Sequence, residues 1–143
     1  MSDHVTVIPV FNEAPTICDL VVRAACHGPV LVVDDGSSDG SADAAAAAGA
    51  AVLRVAGRRG KGAALRAGFA EALSRGAERV LTLDGDGQHD PDDIPRLLAA
   101  SAALPGALVI GCRLGDGGAS MEPARLDALR VAEIGRASCR ERV

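Results

Sequence analysis

The chain has 143 residues, which is enough for one domain with a substantial hydrophobic core. Hydrophobic residues make up 48% of it but aromatic residues only 1%, so the core must consist mainly of Ala, Val and Leu side chains. The formal net charge of −4 argues against a protein that binds nucleic acid by neutralising phosphates, and no nucleic-acid partner is expected.

Continuous apolar runs alternate along the chain with segments of helical periodicity. Such runs are typical of strands that are buried on both faces. The predicted strands are Val5–Val10, Val30–Val33, Ala51–Val55, Arg79–Leu83 and Ala107–Cys112. The first predicted helix begins at Asn12 or Glu13, has Pro15 in its first turn and continues over Thr16–Ala25; the others are Ala42–Ala48, Ala63–Ser74 and Asp92–Ala103. The alternation predicts an α/β fold with three layers, in which a mainly parallel sheet carries helices on both faces.

The sequence also predicts one helix cap and the burial of several side chains. Ser41 is expected to cap the second helix. In the third helix, the apolar face is expected to comprise Leu65, Phe69 and Leu73, which follow one another at intervals of four. The four cysteines contain no C-x-x-C pair, so free and mostly buried thiols in a reducing compartment are expected at Cys18, Cys26, Cys112 and Cys139.

Polar residues follow four of the five predicted strands, at the point where each strand ends. They read P-V-F-N-E after the first strand, D-D-G-S after the second, D-G-D-G-Q after the fourth and G-C-R after the fifth. Parallel α/β sheets bind ligands outside the carboxyl ends of their strands. The four polar segments are therefore expected to converge on one binding site.

The acidic segment Asp84–Asp90 is the strongest candidate for a metal site. A buried strand that ends in carboxylates must compensate their dehydration, which otherwise costs several kcal/mol each. Asp84, Asp86 and the amide oxygen of Gln88 form a hard oxygen set that suits Mg²⁺ or Mn²⁺. The alternative is a solvated acidic turn.

Five motifs in this order resemble family 2 glycosyltransferases, and most of all the dolichyl- and polyprenyl-phosphate sugar transferases. They are V-I-P-V-F-N-E at Val7–Glu13, V-V-D-D-G-S-S-D-G-S at Val32–Ser41, G-K-G-A-A-L-R-A-G at Gly60–Gly68, L-D-G-D-G-Q-H-D-P at Leu83–Pro91 and G-C-R at Gly111–Arg113. The resemblance covers residues 4 to about 116. It implies the Rossmann-like, nucleotide-binding half of a GT-A fold, in truncated form.

The resemblance also implies roles for individual residues. Asp84 and Asp86 match the D-x-D motif as the implied catalytic pair, and Asp86 and Gln88 are the implied metal ligands. Val33 and Asp35 match the positions that read the base. The implied substrate-binding residues are Pro9, Phe11, Glu13, Val33, Asp35, Asp84, Gly85, Asp86 and Arg113.

Alternatives remain open at several of these positions. Phe11 either contacts a base or ribose or is a core aromatic residue, and Asp34 either belongs to the site or only stabilises the following turn. Lys61, in the glycine-rich loop G-R-R-G-K-G, either binds phosphate or belongs to a solvated basic turn. The loop lacks the order of a Walker motif. His89 is expected outside the direct ligand set.

The resemblance implies metal-dependent, inverting transfer of a sugar from a GDP- or UDP-sugar donor to an acceptor, with polyprenyl or dolichyl phosphate as the expected acceptor. Two alternatives are a fragment that binds nucleotide sugar without turnover and a nucleotidyltransferase of similar fold. The expected location is the cytoplasm, at the cytoplasmic face of the membrane. Association with that membrane is expected to be peripheral or to depend on missing C-terminal segments. The sequence does not identify the nucleotide, the sugar, the acceptor or a catalytic base.

The last residues differ from the rest of the chain. Glu133–Val143 shows no apolar periodicity and resembles translated vector sequence. We therefore expect a nucleotide-sugar-binding portion over residues 1–132 and a non-native tail over residues 133–143. The N-terminus begins a strand pattern almost at once, so no signal peptide is expected.

Overall fold

The computed structural model describes residues 2–109 and 132–133. The chain divides into two compact units, residues 1–94 and 95–143. The elements of the first unit are β1 (His4–Val10), α1 (Ala14–Ala25), β2 (Val30–Asp34), α2 (Ser41–Ala47), β3 (Ala51–Arg54), α3 (Lys61–Ser74), β4 (Arg79–Thr82) and a 3₁₀ turn at Pro91–Asp93. The predicted alternation of strands and helices is confirmed, and the boundaries differ from the predicted ones by a few residues.

The four strands form one parallel sheet in the order β3-β2-β1-β4. β1 is central and pairs with β2 over Thr6–Val10 and with β4 over His4–Val7. The chain therefore adds strands on one side of β1 and then crosses to the other side. In open α/β sheets, a ligand crevice forms where the strand order reverses in this way.

The helix α3 packs on one face of the sheet through small residues. Its buried side is Ala64, Gly68 and Ala72, which contact the sheet residues Val7 and Val33. A Cβ atom at Gly68 would lie 2.6 Å from Cγ1 of Val7, so the backbone of α3 approaches the sheet closely.

The predicted buried face of α3 is therefore wrong, because each buried residue lies one position before the residue that was predicted to be buried. Leu65 and Phe69 are only partly buried, and Leu73 is 60% exposed. The sequence pattern selects the largest apolar side chains, whereas the closely packed valines of the sheet leave room only for Ala and Gly.

The helices α1 and α2 flank the sheet and pack against each other. The inner side of α1 is Ile17, Leu20, Val21 and Ala24, all buried. Cys18 in α1 and Cys26 directly after it are free thiols but exposed, so the predicted burial of the cysteines is wrong for these two. Cys112 and Cys139 lie outside the described residues.

Ser41 does not cap α2 as predicted. Gly40 occupies the N-cap position in the left-handed region, with φ 84°, and Ser41 is the first helical residue. Its side chain is fully buried and serves the loop contacts of the site instead.

The second unit contains most of α4 (Ile94–Ala103) and two short strands, β5 (Ala107–Leu108) and β6 (Ala132–Glu133), which pair antiparallel. The prediction that the fifth strand, Ala107–Cys112, extends the parallel sheet is wrong for Ala107–Leu108. Residues 110–112 lie outside the described residues. Strand pairing depends on partners that are distant in sequence, and the apolar pattern of a strand does not specify them. In the part of the chain that the structure describes, no helix has the length and apolarity needed to span a bilayer.

Candidate functional site

A cleft of about 250 Å³ lies at the carboxyl ends of β1, β2 and β4. The end of β1 contributes Pro9, Phe11 and Glu13 to its wall. Asp35 follows β2, and the segment Asp84–Asp86 follows β4. The structure shows the predicted convergence for three of the four polar strand ends, because parallel strands direct their carboxyl ends to one edge of the sheet. The fourth, G-C-R, lies outside the described residues.

Two further predicted site residues, Val33 and Gln88, do not line this cleft. The Val33 side chain is fully buried in the core beneath α3, so the structure does not bring it to the cleft. Gln88 is exposed, and its side chain is not part of the cleft wall. Arg113 lies outside the described residues.

The loop between β1 and α1 is tied to the loop after β2 by hydrogen bonds. The backbone N–H of Asn12 donates to Ser37 Oγ at 2.9 Å, and Asn12 Oδ1 accepts from the N–H of Ser38 at 2.9 Å. The N–H of Glu13 donates to Ser41 Oγ at 2.8 Å. These bonds stabilise the backbone of Asn12, which has a φ of 52°, and they position Phe11 and Glu13 at the cleft.

Asp39 links the start of α1 to the start of α2. Its carboxylate accepts hydrogen bonds from the N–H of Ala14 at 3.0 Å, the N–H of Ser41 at 3.0 Å and the hydroxyl of Ser41. The hydrogen bond from the Ser41 hydroxyl, helped by those from the backbone, lowers the pKa of Asp39 below its ordinary value of 3.8.

We expect the Asp39→Asn variant to lose stability in a pH-dependent way. A carboxyl group with a lowered pKa in the folded state stabilises the protein above its unfolded pKa, and this contribution is lost as the pH falls through the folded pKa. Urea denaturation should show a larger difference in the free energy of unfolding between wild type and variant at pH 7 than below about pH 4. An equal difference at both pH values would contradict the role of the Asp39 carboxylate.

The basic loop between β3 and α3 is held by Asp35, which is 4% exposed. Its two carboxylate oxygens accept hydrogen bonds from the N–H groups of Arg59 and Gly60, both at 2.8 Å. A carboxylate has about four lone-pair directions, so acceptor capacity remains for a ligand. The neighbouring Asp34 accepts from the N–H of Ser37 at 3.2 Å, which agrees with the turn-stabilising alternative.

Arg58, in the same loop, stacks on Phe11. Its guanidinium carbon lies 3.9 Å from the centre of the Phe11 ring, and both residues line the cleft. Phe11 is half-buried at the cleft, so the alternative of a core aromatic residue is wrong. The sequence analysis did not identify Arg58 as a site residue, because its contact with Phe11 joins two loops that are distant in sequence. The basic residues of G-R-R-G-K-G were the signal that could have indicated it.

Lys61 reaches the acidic segment after β4. Its Nζ forms an ion pair with Asp84 Oδ1, and Lys61 lines the cleft. Since the Lys61 side chain is 60% exposed, phosphate binding by Lys61 stays a prediction. His89 Nδ1 accepts the N–H of Asp84 at 3.0 Å, and Asp86 Oδ1 accepts the N–H of Gln88 at 2.9 Å. These bonds shape the turn that presents Asp84 and Asp86.

The donor atoms of this cleft fit a divalent cation that is shared with a phosphate ligand. Within residues 2–109 and 132–133, no group of three or more His, Cys, Asp and Glu side chains is arranged to hold a metal by itself. The hard carboxylate oxygens of Asp84 and Asp86 line the cleft. Mg²⁺ is commonly held by one or two carboxylates together with substrate phosphates and water, and two carboxylates meet that requirement.

Comparison with known proteins identifies relatives. The family model for glycosyl transferase family 2 matches residues 5–139. The undecaprenyl-phosphate mannosyltransferase of Micrococcus luteus is 38% identical over 121 residues, which cover 79% of this chain and 49% of that protein. The polyprenol monophosphomannose synthase of Mycolicibacterium smegmatis is 40% identical over 122 residues, covering 78% of this chain and 45% of that protein. The chain spans about half the length of these curated relatives.

A solved structure shares the fold. Glucosyl-3-phosphoglycerate synthase from Mycobacterium tuberculosis, in complex with Mn²⁺, UDP and glucosyl-3-phosphoglycerate, has a TM-score of 0.64 and 26% sequence identity. The match covers 74% of this chain and 42% of the synthase. The same synthase is also similar to this chain in its complex with Mg²⁺ and UDP, with a TM-score of 0.63. The predicted GT-A-like α/β fold is thereby confirmed.

Proposed function

The chain belongs to glycosyl transferase family 2, and we propose that it is the donor-binding part of an enzyme that transfers a sugar from a nucleoside diphosphate sugar to a polyprenyl phosphate. The family membership and the polyprenyl-phosphate relatives support the reaction class. The converging strand ends support the location of the donor site. The proposed place of action is the cytoplasmic face of the membrane.

The charge of the cleft is the observation that carries the proposal of a metal-dependent donor site. Four carboxylates and two basic side chains line it: Glu13, Asp35, Asp84 and Asp86 against Arg58 and Lys61. An anionic diphosphate would meet a net negative wall and be repelled. A divalent cation at Asp84 and Asp86 would reverse that sign locally, and Gln88 remains the proposed additional ligand. The cofactor proposed here is Mg²⁺ or Mn²⁺.

Other residues of the cleft wall suit a nucleoside. The Phe11 ring lines the cleft as an apolar surface, and the guanidinium group of Arg58 stacks on this ring. Asp35 retains acceptor capacity for a ring N–H of the base after it has accepted its two backbone hydrogen bonds. Pro9 and Phe11 would therefore contact the base or ribose, and Lys61, which is close to Asp84, would contact the diphosphate.

The proposed chemistry is a single displacement with inversion. An oxygen of the acceptor phosphate attacks the anomeric carbon while the bond from that carbon to the diphosphate breaks. The acceptor phosphate is already ionised, so little general-base assistance is required. When bound, the cation supplies neutralisation of the charge that develops on the leaving nucleoside diphosphate.

Calorimetric titration of the 143-residue chain with GDP and UDP tests the donor site. With Mg²⁺ or Mn²⁺ present, affinity for the preferred nucleotide should be at least about tenfold higher than with EDTA. Equal affinities under both conditions would contradict metal-dependent donor binding.

Transfer is tested separately, by incubation with GDP-mannose or UDP-glucose and a polyprenyl phosphate in detergent. Formation of a lipid-linked sugar supports the full reaction. Metal-dependent binding without transfer would identify the chain as a nucleotide-sugar-binding portion that needs further segments for turnover. The partial coverage of the relatives makes this second outcome a specific alternative.

A further inference from the structure

We propose that Thr16 is a positioning residue that orients the peptide bond between Gly85 and Asp86 through its hydroxyl group. Thr16 lies in the first turn of α1, nearly 70 positions away from the acidic segment in sequence. Its Oγ1 donates a hydrogen bond of 2.7 Å to the carbonyl oxygen of Gly85. The proposal rests on the proposed function, in which Asp84 and Asp86 hold the cation.

The hydroxyl of Thr16 is available for this contact because its local alternative is weak. A threonine in a helix can also donate to a carbonyl of the preceding turn. Here that carbonyl is Glu13 O, which is 3.3 Å from Oγ1 and already accepts the N–H groups of Thr16 and Ile17. A hydroxyl has one proton to donate, and the shorter distance assigns it to Gly85.

Gly85 is enclosed on its other side. A Cβ atom at this position would lie 3.0 Å from the carbonyl oxygen of Pro9 and 3.1 Å from Cγ2 of Val10. The Gly85 backbone is therefore packed against the end of β1 while its carbonyl is held by Thr16. Rotation of this peptide would move the attachment points of both flanking carboxylates, because Asp84 and Asp86 are its direct neighbours in the chain.

The methyl group of Thr16 faces the turn at Gly87. A Cβ atom at Gly87, which has a φ of 79°, would lie 3.6 Å from Cγ2 of Thr16. Valine at position 16 retains this packing surface and lacks only the hydroxyl proton. Serine retains the hydroxyl and lacks the methyl group. The two substitutions therefore separate the hydrogen bond from the packing.

A different contact ties the far end of the same segment to α1. Arg23 forms ion pairs with Asp90 and Asp92, the latter at 3.1 Å. The hydrogen bond with Asp92, followed by that with Asp90, raises the pKa of Arg23. These partners are exposed, and exposed ion pairs contribute little to stability. The hydrogen bond from Thr16 to the buried Gly85 is therefore a separate, less exposed contact between α1 and the acidic segment.

The test compares Thr16→Val, Thr16→Ser and the control Thr82→Val by calorimetric titration with GDP and UDP, with Mn²⁺ and with EDTA. Thr82 is exposed and does not line the cleft. In Thr16→Val, we expect the affinity with Mn²⁺ to fall about tenfold, as for the loss of one hydrogen bond that orients a charged ligand. The affinity in EDTA should remain that of wild type. Thr16→Ser and Thr82→Val should retain the gain from Mn²⁺.

Two results would overturn the proposal: a wild-type gain from Mn²⁺ in Thr16→Val, or an equal loss of affinity with and without the metal. If Thr16→Val melts below the assay temperature, Gly85→Ala is used instead, because its Cβ atom would lie 3.0 Å from the carbonyl oxygen of Pro9 and would displace the same peptide bond. A wild-type gain in affinity from Mn²⁺ in that variant would overturn the proposal.

Amide resonances of Gly85 and Asp86 in the metal-free protein report the orientation of the peptide directly. They should shift in Thr16→Val and stay in place in Thr16→Ser, and unchanged resonances in Thr16→Val would overturn the positioning role. A wild-type protein that gains nothing from Mn²⁺ while these resonances shift as expected would contradict the proposed function and leave the positioning of Gly85 supported.

Discussion

Replacing Asp86 by asparagine is expected to remove most of the gain in nucleoside diphosphate affinity that Mg²⁺ or Mn²⁺ provides. A neutral amide would replace a charged oxygen ligand of a hard cation. Loss of one such contact should cost on the order of 1–3 kcal/mol, or about ten- to a hundredfold in affinity. The measurement is a calorimetric titration with GDP and UDP in the presence of each metal and of EDTA.

Two matched variants make this result specific. Asp43→Asn changes the same charge at an exposed position of α2, where Asp43 pairs with Arg54, and should leave nucleotide binding unchanged. Asp35→Asn should lower affinity and base preference without changing the metal requirement, because the Asp35 carboxylate accepts its hydrogen bonds from the basic loop. An Asp86→Asn protein with the wild-type response to metal would identify the acidic segment as a polar turn without metal.

Replacing Gly68 by alanine should destabilise the fold by about 1–3 kcal/mol. The added methyl group would lie 2.6 Å from Cγ1 of Val7 and 2.8 Å from Cγ2 of Val33. Both valines are fully buried in the sheet and are stiff about χ1, so neither can move away without disturbing its neighbours. The helix would have to shift outward, which weakens the packing of Ala64 and Ala72.

Gly62→Ala is the control within the same helix. Apart from its chain neighbours and the backbone of its own helix, no atom lies within 4 Å of a Cβ placed at Gly62. Alanine is also the better helix former, so this variant should gain up to about 1 kcal/mol. Urea denaturation of the two variants measures both effects. A Gly68→Ala protein as stable as Gly62→Ala would show that α3 does not press on the sheet at this point.

Much of the fold could be predicted from the sequence because it depends on local patterns. The continuous apolar runs of β1, β2 and β4 identify strands that are buried on both faces, and the intervening helical segments imply a parallel sheet. The abrupt change from apolar to acidic residues at Asp34 and Asp84 marks the carboxyl ends of two strands. Parallel strands place these ends on one edge, so the position of the cleft followed without coordinates.

Sequence periodicity could not predict which side of α3 is buried. It identified Leu65, Phe69 and Leu73, because large apolar residues are usually internal. The structure buries Gly68 and its small neighbours instead, since the distance between the helix and the sheet is set by Val7 and Val33, which lie on two other elements.

The sequence by itself determined the α/β architecture, the acidic strand end at Asp84–Asp86 and the polar segments around it. Only the tertiary structure decided which side chains complete the cleft. The contacts of Arg58 with Phe11, of Lys61 with Asp84 and of Thr16 with Gly85 each join residues on different loops or helices. Such contacts carry no local signature, because they depend on the order in which the strands pair and on how far each helix lies from the sheet.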